Sequence, residues 1–374
     1  MSPAQRRNLR KKKRAFRYLL FLSLLVAFNG TWALSSAQGC VALRGLGQAG
    51  GIDVNQPNLT HHTWQLNTDF RYFNSFRHYV GTAEQFQRLQ LHNNVINYAY
   101  NFDLGLTYGL TNRWSFSLDL PILFFMRSQL IHGSATREHT HSHGIGDTRI
   151  YADYWLLDPK TQFQSNLQAG IGIKLPTGNY DVKDYFYTLQ PDNTLTRALK
   201  PVDESIQPGD GGFGATFELN GFSRLSGTLY GYENFFYLFN PRGTNGVVSG
   251  QSNPYANITS VSDQFMARVG VTEFFPSIHG LSASLGGRIE CIPVHDLLGP
   301  SEGFRRPGYV FSAEPGVGYM AGKSEFTLSV PIAVVRNRTQ SVPDKEYQAS
   351  TKKPQHGDAA FADYEVSVAY SYRF

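Results

Sequence analysis

The stretch INYAYNFDLGLTYGL, Ile96 to Leu110, divides with a period of two. Ile96, Tyr98, Tyr100, Phe102, Leu104, Leu106, Tyr108 and Leu110 are apolar or aromatic, while Asn97, Ala99, Asn101, Asp103, Gly105, Thr107 and Gly109 are small or polar. Side chains on an extended backbone point alternately to opposite faces, so this is a strand with one greasy face and one polar face. It is far longer than the usual soluble strand of about five or six residues. Thr111 and Asn112 then form a tight turn. Trp114, Phe116, Leu118 and Leu120 resume the greasy row with Arg113, Ser115, Ser117 and Asp119 opposite, which makes a β-hairpin.

The same pattern recurs along the chain. Earlier, Trp64, Leu66, Phe70 and Tyr72 mark a strand. Later ones run through Ile150 to Leu156, Phe163 to Leu175, Phe213 to Leu219, Thr228 to Leu238, Phe265 to Val271, Leu281 to Ile289, Tyr309 to Tyr319 and Phe326 to Val330; with the terminal DYEVSVAYSYRF they make twelve. Short connections near 111, 158, 221, 276 and 321 alternate with long polar ones at about 74–94, 121–145, 176–211, 240–262, 291–308 and 336–361. Short-long alternation is the signature of an antiparallel meander threading a membrane, with tight periplasmic turns and extended outer loops. It also puts both ends of the meander on one side.

Alternation alone does not say which face meets water, since a soluble barrel has the same period with its apolar row inward. The charges decide. Asp103, Arg113, Asp119, Arg149, Asp153, Lys174, Glu218, Arg268, Arg288, Glu290, Glu314, Glu325, Glu365 and Arg373 all fall on the polar face. Charges of both signs in that number do not share a dry core, but they suit a polar lumen. Trp64, Tyr72, Trp114, Tyr309, Tyr319 and Phe326 sit near strand ends, where interfacial girdles form. In lipid every backbone amide must be paired, so such strands close into a ring. The expectation is an all-β, up-and-down transmembrane barrel of about twelve strands over residues 64–374, in a Gram-negative outer membrane.

The terminal strand ends on a free aromatic carboxylate, and Tyr370, Tyr372 and Phe374 resemble the signal read by the barrel-assembly machinery of outer-membrane proteins. The chain's other end carries the basic charge. Eight of the 34 basic residues lie between Arg6 and Arg17, and the other 26 stand against 29 acidic residues, so the basic pI of about 9.0 describes the leader and does not point to nucleic acid. A basic n-region, the apolar stretch YLLFLSLLVAF (18–28) and the small residues SSA ending at Ala37 read as a signal peptide over 1–37, followed by a periplasmic segment over 38–63. The apolar stretch is short of the roughly 20 residues a spanning helix needs; an uncleaved signal anchor is the alternative. Cys40 and Cys291 are the two cysteines; they admit one disulfide on export, and SAQGC also loosely resembles a lipidation site at Cys40.

GIGDTRIYADYWL (144–156), KLPTGNYD (174–181), QPGDGGFG (207–214), SLGGRIE (284–290) and AEPGVGY (313–319) resemble the outer-membrane barrels grouped as the phenol-degradation MetA-pathway family, often labelled "transporter". The resemblance covers most of the chain after the leader. It implies an outer-membrane location, lipid as the surrounding partner, and passage of small hydrophobic or aromatic solutes, with no cofactor.

Two constellations invite chemistry. In REHTHSHG, His139, His141 and His143 share a face if extended, with His132 and Glu138 near; three imidazoles suit zinc or copper, and the alternative is a solvated loop that binds nothing. The lumen charges admit either a constricted path or a salt-bridged plug. No G-x-S-x-G elbow or phosphate loop occurs, which leaves a lipase-like or purely structural barrel as the rival to a channel.

Overall fold

A computed structural model describes residues 59–374 apart from Phe163. The leader, Cys40 and most of the 38–63 segment lie outside the described residues. Twelve antiparallel strands form a closed barrel. They are β1 Trp64–Val80, β2 Ile96–Gly109, β3 Trp114–Leu130, β4 in two segments, Arg137–Ile145 and Arg149–Trp155, β5 Ser165–Lys174 and β6 Gly214–Ser226. The ring continues through β7 Leu229–Phe239, β8 Gln264–Phe274, β9 Leu281–Ile292, β10 Gly308–Ala321, β11 in two segments, Ser324–Ser329 and Ile332–Arg338, and β12 Ala359–Arg373. β1 closes on β12 from Gln65↔Arg373 to Tyr79↔Ala359. Trp64 and Phe374 exchange backbone hydrogen bonds of 3.0 and 2.9 Å, so no edge is left open at the seam.

The apolar rows face out. Leu106, Phe116, Leu118, Ile171, Ile173, Leu285, Phe311, Leu328 and Val368 are exposed, whereas Asn97, Asn101, Asp103, Ser117, Asp119, Arg268, Arg288 and Glu314 are buried inside. That inversion of a soluble core is what hydrocarbon outside demands.

The wall is uneven in height. β1 and β3 have 17 residues each, but β5 has 10 and β7 and β8 have 11. Above the short side, loops complete the wall. A hairpin of Lys183–Leu189 with Leu195–Pro201 lies against the upper segment of β4, where His141 N donates to Asp184 Oδ2 (2.8 Å) and Tyr187 N to Glu138 Oε2 (2.8 Å).

Three boundaries depart from the sequence expectation. The turn expected near 221 falls instead at Gly227, which adopts φ +49, and β6 runs unbroken through Gly221. The segment 121–145 is not a loop: β3 continues to Leu130, and the histidine-rich run is the upper segment of β4. β1 likewise extends to Val80.

Candidate functional site

The barrel interior is filled in three layers. Nearest the short turns, Trp155 and Phe222 are buried with rings 6.1 Å apart, and Tyr230 and Phe274 pack on them. All four stand on the inner face at the foot of their strands.

The middle layer is a belt of arginines and carboxylates. Arg71 lies 3.7 Å from Asp103, and Asp69 accepts from Ser367 Oγ at 2.7 Å. Arg149 bridges Asp119 (2.7 Å) and Glu218 (3.1 Å). Arg268 reaches Glu314 (3.3 Å) and Asn234 Oδ1 (3.0 Å). Arg288 reaches Glu290 (2.6 Å), Glu365 (3.4 Å) and Glu314 (3.7 Å). The four guanidinium groups are at most 4% exposed. Taking such charges out of water costs several kcal/mol each, and only paired geometry with further hydrogen bonds offsets it. Arginine suits the task, because its planar fork serves two or three carboxylates at once and stays charged. Asp153 is also buried here, beside Glu218 and Asp119, with no hydrogen bond to its Oδ1.

The upper layer is apolar and comes partly from a loop. Phe73 of β1, Ala99 of β2, and Leu123 and Phe125 of β3 point inward and form one cluster with Val202 and Ile206. Ile206 and Leu123 are fully buried. A short 3₁₀ turn, Glu204–Ile206, carries these residues down into the mouth, capped by Asp203, whose side chain accepts from Ser205 N. Asp203 is clamped from two sides: Arg306 donates to both its oxygens (2.8 and 2.6 Å), and Arg127 on the inner wall lies 3.3 Å away. Arg306 also reaches Glu204 at 3.3 Å. Burial alone would raise the Asp203 carboxyl, but Arg127 and Arg306 hold it well below the usual range. For Glu204 burial wins over Arg306, with Asp203 adding to it, and its carboxyl is pushed up to about 7.

Beside this plug the GIGD, KLPTG and QPGDGG stretches meet where β4 is interrupted. Asp147 accepts from Gly178 N (3.0 Å) and Asp210 N (3.1 Å), and Lys174 pairs with both Asp147 and Asp210. Thr177 fills the break: its hydroxyl donates to Gly146 O (2.8 Å) and accepts from Thr148 N (2.8 Å). A Cβ on Gly178 would lie 2.7 Å from the Gly209 Cα, so two backbones cross here with no room for a side chain. A cavity of about 80 Å³ opens between this knot and the inner wall, lined by Lys174, Arg149, Glu204, Asp210, Phe236 and Leu238 among others.

Asp103, Asp119, Arg149, Asp153, Lys174, Glu218, Arg268, Arg288, Glu290 and Glu314 therefore lie inside the barrel. Arg113 and Glu325 do not join the belt. Arg113 sits in the β2–β3 turn and donates to the carbonyls of Trp155 (2.9 Å) and Leu156 (2.5 Å), and Glu325 is at the foot of β11 opposite Ser371. Tyr370 packs on Phe326 of β11 (ring centroids 4.8 Å apart) and Tyr372 on Phe374 (6.2 Å). His139, His141 and His143 project outward from β4, with His143 stacked on Phe124; among the described residues no three His, Cys, Asp or Glu side chains are placed to hold a metal. Cys291 is buried against Phe265 and Tyr309.

Asp69 and Arg71 are belt members that the sequence reading passed over, although alternation against Phe70 and Tyr72 places them inward. Asp203 and Arg306 had no such signal, because a loop clamp has no period, and Arg127 lies on the part of β3 beyond Leu120 that the sequence reading took for a loop.

A closed twelve-strand barrel with its apolar rows outward and its charges within is a barrel of the outer-membrane type. No family model matches the chain, and no curated protein does. Among solved structures, an outer-membrane channel from Pseudomonas putida F1 aligns with a TM-score of 0.56 at 11% identity, covering 89% of this chain and 100% of that one. At that identity the likeness is one of fold. The toluene transporter TodX of Pseudomonas putida gives 0.44 at 10% identity over 91% and 96% of the two chains, and the β domain of the Bordetella autotransporter BrkA gives 0.45 at 13% over 83% and 98%.

Proposed function

We propose that this chain is an outer-membrane channel for a small hydrophobic or aromatic solute, held shut in this conformation by its own loop. The observation that carries the reading is the apolar seat in the mouth, where Phe73, Ala99, Leu123 and Phe125 face inward. A water-filled pore has no use for aromatic and aliphatic side chains on its inner wall; an apolar solute does. With Val202 and Ile206 withdrawn, the seat offers that solute the surface they now cover. The belt beneath it, buried and crossed by ion pairs, keeps hydrophilic molecules from leaking through. The outer-membrane channel of Pseudomonas putida F1, which shares this fold, supports the same reading.

Membership of the MetA-pathway group belongs to the proposal, supported by the meeting of three of its five stretches where β4 is interrupted. So do a cleaved leader over 1–37, a periplasmic segment over 38–63, and recognition of Tyr370, Tyr372 and Phe374 by the assembly machinery.

The test compares intact cells with and without the chain for uptake of a labelled monoaromatic compound, alongside swelling of protein-loaded liposomes in sugars. Faster aromatic uptake without sugar-driven swelling is expected. Free sugar permeation with unchanged aromatic uptake would make it an aqueous porin and end this reading.

A further inference from the structure

Asp203 is held as a bound carboxylate would be. Two guanidinium nitrogens of Arg306 donate one to each of its oxygens, the forked geometry with which arginine takes up a free carboxylate, and Arg127 stands 3.3 Å away on the wall. On the same stretch of loop, Val202 and Ile206 fill the apolar seat. A carboxylate joined to a small apolar body is thus what the mouth grips, and here the chain's own loop supplies it. Both arginines are positioned by parts other than the plug. Arg127 donates to Asn97 Oδ1 (3.0 Å) and to Gln129 Oε1 (3.2 Å), both on the barrel wall, and Asn97 is fixed in turn by Ser75 (3.1 Å). Arg306 lies over the Phe304 ring at 4.8 Å, and the carbonyls on either side of it, those of Arg305 and Pro307, both accept from Arg338 (3.5 and 3.4 Å). Arg305 is itself locked to Asp296 by two bonds of 2.8 and 2.6 Å. Withdrawal of the 204–206 turn therefore leaves the two largely buried guanidinium groups in place and takes away the carboxylate they share.

Resting on the channel reading above, we propose that the solute is a small aromatic carboxylate of the benzoate type, whose carboxylate takes the place of Asp203 between Arg306 and Arg127 while its ring enters the seat of Phe73, Leu123 and Phe125. Asp203 is then an internal competitor, and the plug opens by exchange of one carboxylate for another. The inner row of β3 sets the size. Leu123, Phe125 and Arg127 all point inward, and at about 3.3 Å per residue Phe125 lies about 7 Å below Arg127 and Leu123 about 13 Å below it. A single ring carrying the carboxylate spans from the fork to Phe125. The chemistry sets the charge. Exchange of carboxylates keeps the two buried guanidinium groups paired, whereas a neutral arene in the same seat would leave them without the anion that offsets their burial. A pocket of apolar walls with a few placed polar groups at one end is the usual form of a site for such a molecule.

The test is isothermal titration of the full chain in detergent with benzoate and with benzamide, its uncharged counterpart. Benzamide is expected to bind at least tenfold more weakly than benzoate. Asp203→Asn, which removes the competitor, is expected to raise the affinity for benzoate about tenfold, whereas Arg306→Gln and Arg127→Gln are each expected to lower it tenfold or more, with the gel mobility shift checking that each variant is folded. Loss of a merely structural side chain does not strengthen binding, so the gain in Asp203→Asn separates competition from support of the fold. Equal binding of benzoate and benzamide, unchanged when either arginine is replaced, would overturn the carboxylate site and leave the apolar channel standing. Weaker benzoate binding in Asp203→Asn than in the unsubstituted chain would overturn the competition. Binding of neither compound, even in Asp203→Asn, would overturn the site and the apolar seat together.

Discussion

Asp203 is the residue on which closure of the mouth depends. It holds Arg127 of the wall and Arg306 of a second loop at the same time, so the plug, the wall and the 293–307 segment are tied through one carboxylate. Removing one partner of a buried pair leaves the others uncompensated and costs about 3–5 kcal/mol. Asp203→Asn is thus expected to unseat the plug and raise planar-bilayer conductance from near zero to frequent openings, while the barrel stays folded by its gel mobility shift. Glu204 makes the same closure sensitive to pH. Its carboxyl binds a proton more tightly in the seat than in water, moving from 4.5 to about 7, so its contribution is complete below about pH 4.5 and is lost as the pH rises through 7. Asp203 runs the other way: its ordinary value is 3.8 and the seat holds it lower, so it stays ionised throughout. Of the two, only Glu204 changes between pH 5 and 8, and openings should be several-fold more frequent at pH 8. Glu204→Gln should flatten that profile. None of this clamp was legible in the sequence, because Asp203 and Arg306 lie on irregular loops separated by 103 residues and four barrel strands.

At the scale of elements, the alternation of β2 was legible from Ile96 to Leu110 because both of its faces meet uniform surroundings, hydrocarbon outside and the polar belt inside. β3 was readable only as far as Leu120 for a physical reason. Above that point its inward residues Leu123 and Phe125 pack on Val202 and Ile206, so both faces become apolar and the period vanishes. Pro121 deepens the disguise, since proline is rare inside a ladder. The histidine run hid the upper segment of β4 in the same way, with polar residues on its outward face. The break in that strand depends on Thr177, whose hydroxyl serves Gly146 and Thr148 together. Thr177→Val keeps the shape and removes both bonds at about 1 kcal/mol each. Amide hydrogen exchange at residues 146–148 is expected to speed up about tenfold, with β5 and β6 unchanged. A uniform response across the whole wall would mean the break is held by the strands and not by Thr177.

At the scale of the whole molecule, the uneven wall and the layered filling divide the labour between stability and closure. The belt holds the inner faces of nearly all the strands together, and carboxylates outnumber arginines in it. Each guanidinium therefore screens several acids, Arg288 most of all, with Glu290, Glu314 and Glu365 within 4 Å. Arg288→Gln leaves three carboxylates facing one another in a dry space, so the folded barrel should lose about 3–5 kcal/mol, seen as a lower temperature for loss of the compact gel form in detergent. Arg113→Gln, at the short-turn rim, should shift it little. Closure should respond in the opposite order. The apolar seat and the Asp203 clamp lie above the belt and share no side chain with Arg288, so bilayer conductance of Arg288→Gln should stay near zero while Asp203→Asn conducts. If instead Arg288→Gln conducts and Asp203→Asn is silent, the ion-pair belt is the barrier and the inserted loop is only a cover.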